Sequence, residues 1–402
     1  MNKNIKLAVA GAVLALSASA NAGIIIPAGD WTLDINGNVN AFANWSDTNT
    51  RGTVTGGTVV LQDAANEDRN QGINTGLLPS WLGFTGKTRQ NDTDVEFTIS
   101  LQPNVSDNFS HGDAKTPLNR QAYVSFGDKS WGSLKLGKDL GVFASDAILN
   151  DMTLLGVGGL ATSASGAATT YGGIGTGYIY AAWKGQVAYT TPNFNGFQAT
   201  VAMTNPNQGV SDAGATGTLS QAATLNQDRF GLEGKASYSF AQDNFSGKLW
   251  VGGASYKVKP KSTLEYTATA ADIGLNIAAG NLGLTGYYYK GEGAGTTTLL
   301  NYGVSDVLGN KRDSDGGYLQ ATYVLPTKTK LGLAYGVSKL DLATGESASA
   351  IVKSNERMTV GLYHPLTKHL NLVAEYNDIE SESHLNVRNS AKQGSLGAIL
   401  FF

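Results

Sequence analysis

The chain has no cysteine among its 402 residues, so no disulfide stabilises it and burial and hydrogen bonding must suffice. Charged residues are also scarce, at 15% against the usual quarter of a soluble domain. With a net charge of −3 and no Lys/Arg-rich run, nothing in the sequence favours nucleic acid as a partner. After the first residues no apolar stretch reaches about 18 residues, which excludes a transmembrane helix. Catalytic patterns are missing as well. The four histidines are His111, His364, His369 and His384; the middle pair shares a His-Pro-Leu-Thr-Lys-His turn, not the His-Glu-x-x-His helix of a zinc protease. Gly172 to Gly177 forms a glycine cluster without the Gly-Lys-Ser/Thr of a phosphate loop, and suits a flexible loop better. No catalytic, cofactor or metal site is expected.

What is present begins with a leader. Lys3 and Lys6 precede an apolar run at residues 7–16, and Ala20 and Ala22 give the A-x-A pattern behind which a signal peptidase cuts. That run is about half as long as a spanning helix requires. Residues 1–22 are expected to be a signal peptide and residues 23–402 one exported β-barrel domain.

Glycine is abundant, with 51 residues, near twice the usual share. Alternation then separates a soluble all-β protein from a membrane barrel. From Trp31 to Trp45 the odd positions read Trp, Leu, Ile, Gly, Val, Ala, Ala, Trp, and the even ones are almost wholly polar. An apolar face that ends in aromatics and backs onto a polar face is the mark of a strand between lipid and a wet lumen. Sixteen such segments are expected, from residues 31–45 through 357–363 and 370–379 to 393–402. Their connections alternate between short turns and long loops, as in an antiparallel up-and-down barrel with long external loops.

Several stretches carry a family resemblance: SWLGFTG at residues 80–86, NRQAYV at 119–124, GSLKLGK at 132–138, VAYTTPNFNGF at 187–197, and the closing Phe402. They resemble the general porins of Gram-negative outer membranes, particularly the neisserial and related subgroup. That resemblance implies a homotrimeric sixteen-stranded barrel in the cell outer membrane, whose third loop folds into a water-filled pore. It implies passage of small hydrophilic solutes and ions, with no cofactor and no chemistry. Outer-membrane lipid and the barrel-assembly machinery are the implied partners, the latter reading Phe402 with Leu400 and Leu396 in phase. A substrate-specific porin for sugars, nucleosides or organic acids is an alternative. An adhesive or structural barrel is another.

The third long connection, residues 139–184, has only two charges between Leu140 and Trp183: Asp146 and Asp151. The resemblance sets carboxylates of this loop across the pore from basic wall residues, although the Pro-Glu-Phe-Gly-Gly turn of many enterobacterial porins is absent. Charge rings and constrictions set selectivity in such pores. Strand parity turns Lys87 and Lys135 toward the lumen and Lys138 outward. For Arg120 parity points outward and the resemblance points into the pore; the latter is preferred. Asp146, Asp151, Lys87, Arg120 and Lys135 are therefore the expected constriction. Tyr171, Tyr178, Tyr180 and Trp183 either pack the loop on the wall or form a sugar-binding slide.

Overall fold

Strand parity decides which side chains meet lipid. Along Lys330–Leu340, Leu331, Leu333 and Tyr335 are exposed while Ala334, Ser338 and Leu340 between them are buried. A sheet whose apolar parity is the exposed one has its outer face in hydrocarbon. The computed structural model describes residues 23–59, 68–105, 118–160, 169–206, 228–261, 264–300, 303–306 and 308–402. The expected leader, residues 1–22, lies outside the described residues.

Eighteen strands form one sheet, all paired antiparallel. The first six are β1 (Ile24–Ala28), β2 (Trp31–Asn49), β3 (Arg69–Asn74), β4 (Trp81–Gln90), β5 (Thr93–Gln102) and β6 (Leu118–Asp128). Next, β7 (Gly132–Leu140) leads through the third long connection to β8 (Trp183–Thr190), β9 (Phe197–Thr204), β10 (Gly231–Gln242) and β11 (Phe245–Lys261). The chain continues through β12 (Leu264–Ala279), β13 (Leu282–Glu292), β14 (Asp313–Val324) and β15 (Lys330–Leu340). It ends with β16 (Val352–Pro365), β17 (Leu370–Ser383) and β18 (Arg388–Phe401). Sixteen of these, β2 and β4 to β18, make the barrel, which closes where β18 pairs with β2. Closure leaves no unpaired edge in lipid.

The two remaining strands complete β2. Its residues 32–38 pair with β4 and its residues 42–47 with β3. On the other side, residues 38–49 pair with β18 and residues 31–35 with β1. β1 thus continues the line of β18 beyond Phe402, whose backbone exchanges hydrogen bonds of 2.8 and 3.0 Å with Gly37. A Cβ at Gly37 would stand 2.2 Å from the Trp81 carbonyl oxygen and 2.8 Å from Cζ of Phe402, so only glycine fits this seam.

The strands outrun the expected segments at the long-loop end. β2 runs to Asn49 instead of residue 45, β16 begins at Val352 instead of 357, and β17 continues to Ser383 instead of 379. Strands β1 and β3 were not expected at all. Above the hydrocarbon the outer face meets water and need not be apolar, so hydropathy alternation fades while backbone pairing continues.

Candidate pore constriction

The third long connection enters the barrel and stays inside it. After β7 it forms a short helix α1 (Ser145–Leu149) and a 3-10 turn (Met152–Leu155) before running on to Leu160. Nearly every described residue from Gly141 to Leu160 is buried. What holds it is a succession of wall side chains, met in strand order.

At its start, Glu233 on β10 accepts hydrogen bonds from the backbone N–H groups of Val142 (2.6 Å) and Phe143 (3.0 Å). Lys184 and Tyr256 complete that carboxylate, Lys184 at 2.7 Å, with both charged side chains out of solvent. In the helix, Asp146 takes hydrogen bonds from Lys235 (2.9 Å) and from Lys248. Burial by itself raises the Asp146 carboxyl, but the two ammonium groups outweigh it and hold it below its ordinary value. On β14, Tyr318 donates to the Ala147 carbonyl (2.8 Å), and Gln320 both accepts from Met152 N–H (2.7 Å) and donates to the Asn150 carbonyl (3.1 Å).

Asp151 sits at the turn of the loop. It accepts from the Thr153 N–H (2.9 Å) and hydroxyl (2.7 Å), the Gly173 N–H (2.9 Å) and the Tyr178 hydroxyl (2.8 Å). Arg357 on β16 stands 3.8 Å away. Further on, Glu375 on β17 accepts from Val157 N–H (2.9 Å), Gly158 N–H (2.7 Å) and the Tyr363 hydroxyl (2.7 Å). Gln393 on β18 takes Leu160 N–H at 3.3 Å. Among the described residues, every hydrogen bond from a wall side chain to residues 141–182 comes from β10 to β18. The inner faces of β4 to β7 stand opposite.

The expected constriction residues fall in three places. Asp146 and Asp151 lie in the loop, but both are buried and their charges are already met, so neither presents a free carboxylate. Lys135 is on the opposite wall, paired with Asp139 and 4.8 Å from the centre of the Tyr123 ring. Lys87 is apart from both, 3.3 Å from Glu96 near the short-turn end, on an open vestibule of about 1170 Å³. Arg120 resolves the conflict between parity and resemblance through a β-bulge. Ser100 pairs with Gln121 and Leu101 with Asn119, which leaves Arg120 as the extra residue. Its charge reaches Tyr180 of the loop: burial pushes that phenol up while Arg120 pulls it down. Parity failed here because a bulge resets it. Lys138 is exposed as expected and donates to the Asn119 carbonyl at 2.8 Å.

Glu233, Lys235, Lys248, Arg357 and Glu375 were not expected. Each occupies a lumen-parity position of its strand, which was the one signal available in the sequence. The glycine cluster is corrected too. A Cβ at Gly173 would lie 2.7 Å from the Arg357 guanidinium and 2.8 Å from Asp151, so close packing, not flexibility, requires the glycine. Tyr178 is fully buried, edge-on to Tyr318 with centroids 5.8 Å apart, and packs the loop on the wall.

Comparison with known proteins agrees with this architecture. The model of the Gram-negative porin family matches residues 7–384. No curated protein matches the chain. Among solved structures, the outer membrane channel DcaP of Acinetobacter baumannii superposes with a TM-score of 0.68 at 15% identity, covering 95% of this chain and 100% of that one. An anion-selective porin from Comamonas acidovorans gives 0.61 at 16% identity, covering 92% and 100%. Salmonella typhi OmpF, in complex with daunomycin, gives 0.59 at 13% identity, covering 94% and 100%. These relationships bear on the family as a whole and not on a neisserial division of it. A closed sixteen-stranded barrel with an in-folded third loop, matched by the family over nearly its whole length, belongs to the Gram-negative porin family and is a channel of the outer membrane.

Proposed function

We propose that this porin is a passive, non-enzymatic diffusion channel for small hydrophilic solutes and ions, with anions favoured. The passage lies between the pinned third loop and the inner faces of β4 to β7. The observation that carries the anion preference is an asymmetry within the ion pairs. Side-chain exposure is 35% for Lys135 against 11% for Asp139, and 25% and 28% for Lys235 and Lys248 against 5% for Asp146. Each pair buries its carboxylate and turns its ammonium toward the lumen. In a narrow passage with low-dielectric walls such charges act on a passing ion more strongly than in bulk water.

Planar-bilayer recording tests this reading. The expected result is a large ohmic conductance, a zero-current potential on the anion side under a salt gradient, and no block by sugars, nucleosides or organic acids. A saturable block by one of these solutes would establish a substrate-specific porin instead. A closed barrel with no conductance would favour an adhesive or structural role.

We further infer that residues 1–22 are removed on export, leaving the barrel of residues 23–402. The barrel is proposed to assemble as a homotrimer through the outer faces of the early strands, residues 31–45 to 132–138. It is proposed to be inserted by the barrel-assembly machinery, which reads Phe402. Sedimentation in mild detergent should give a trimer; a monomer alone would contradict that assembly.

A further inference from the structure

The third loop is not the only chain segment folded into this mouth. Between β13 and β14 the described residues Ala294, Leu299, Leu300 and Val304 are fully buried, in one apolar cluster with Ile179 of the third loop. Tyr180 N–H donates to the Thr297 carbonyl at 2.8 Å, so this second segment lies directly on the returning arm of the third loop.

What holds it there is an ion pair. Arg312, the last residue before β14, donates from Nε to Glu346 Oε2 at 2.8 Å and from Nη2 to Oε1 at 2.5 Å. Its third nitrogen, Nη1, donates to the Ser305 carbonyl at 2.7 Å, within the same segment. Glu346 belongs to the loop between β15 and β16, where it also takes Ala343 N–H at 3.0 Å. Both side chains are largely shielded from water, at 8% and 15% exposure. A two-pronged guanidinium–carboxylate contact fixes orientation as well as distance, unlike an exposed single-bond pair. The β15–β16 loop is in turn sewn to the first external loop, with Thr55 N–H on the Ala350 carbonyl (2.8 Å) and Val352 N–H on the Thr55 carbonyl (2.9 Å). A connected layer therefore runs from the first loop to Tyr180, and Arg312–Glu346 is its one charged fastening among the described residues.

We propose that Arg312 and Glu346 are specificity-determining positioning residues. By clamping the β13–β14 segment over the third loop, they set the upper size limit of the solutes admitted. Neither residue touches the passing solute. Breaking the pair frees a segment that hydrogen bonds and apolar contacts alone then hold, and the mouth widens. This inference rests on the reading of the protein as a diffusion channel.

Liposome swelling with uncharged sugars of increasing size tests it, since neutral solutes are blind to the change in charge. Wild type should admit monosaccharides and exclude larger oligosaccharides steeply. Arg312→Gln and Glu346→Gln should each raise the relative rate for tri- and tetrasaccharides several-fold, with little change for monosaccharides. The charge-reversed double variant Arg312→Glu with Glu346→Arg should return toward the wild-type profile, which a general loss of packing would not do. An unchanged profile in both single variants, or a double variant as permissive as the singles, overturns the proposal. Because the chain has no cysteine, Arg312→Cys with Glu346→Cys supplies a second arm. Joined by a short bis-thiol reagent it should exclude large sugars, and unjoined it should admit them, in the same folded protein. Equal profiles in the two states would count against the proposal even if the glutamine variants fail to fold. Wild-type liposomes that swell with no sugar at all would instead overturn the diffusion reading itself.

Discussion

Asp146 Oδ2 accepts a hydrogen bond from Lys235 Nζ at 2.9 Å, and this contact joins the helix of the third loop to β10. Lys248 closes on the other oxygen from β11. The carboxylate is thus spent on holding the loop, while the two ammonium groups keep a face toward the lumen.

Replacing Asp146 by Asn removes a charge that offsets two lysines. The zero-current potential under a salt gradient should move toward anions, and conductance should change only modestly, because length and diameter also limit a wide pore. Lys135→Gln should move the potential toward cations, since Asp139 loses its ion-pair partner. If neither variant shifts the potential beyond scatter, these pairs do not line the passage.

Acidity should have little effect until it is strong. The two lysines hold the Asp146 carboxyl below its ordinary 3.8. A group whose pKa is lowered on folding contributes stability above its unfolded value and loses it as pH falls through the folded one. Loop anchoring and selectivity should therefore be flat from neutral pH down to about 4. They should change only below 3.8, with the anion preference rising as Asp146 is neutralised. Reversal potentials measured across that range provide the check; a step between pH 5 and 7 would assign the field to other groups.

Glu375 separates charge from hydrogen bonding. Its Oε2 accepts both loop N–H groups and its Oε1 accepts the Tyr363 hydroxyl. Glu375→Gln keeps an oxygen for the loop and offers its amide to the tyrosine oxygen, so the loss should be small. Glu375→Ala leaves buried donors unpaired, at about 1–3 kcal/mol for each. The alanine variant should unfold at clearly lower denaturant concentration and give noisier single-channel traces. Equal midpoints for the two variants would show that the loop is held without this carboxylate.

The Gly37–Phe402 seam should be sensitive in assembly. Gly37→Val places atoms against the Trp81 carbonyl and the Phe402 ring, where no room exists. It should lower the yield of heat-modifiable, folded barrel. Deletion of Phe402 should lower the yield as well, while the stability of barrels that do fold changes less. Unchanged yields from both would remove the seam from barrel closure and Phe402 from its proposed role in assembly.

The sequence by itself determined the barrel. Period-two alternation is a local property, and a strand held between lipid and water must carry it, so sixteen crossings and the sorting of short and long connections were legible residue by residue. The lumen side of Lys135 was legible for the same reason. Where the outer face leaves the hydrocarbon that constraint lapses, and β3 and the upper parts of β2, β16 and β17 went unread. Arg120 turned on a bulge, which adds a residue without any mark in its composition. The partners of the third loop were beyond local reading altogether. Glu233 and Glu375 lie 91 and 218 residues from the N–H groups they receive. Only closure of the barrel brings β10 and β17 onto one segment, and only there do buried donors select those two carboxylates. Tertiary structure therefore decided that Asp146 and Asp151 fasten the loop instead of facing the stream, because a charge buried beside its partner is satisfied inside the protein.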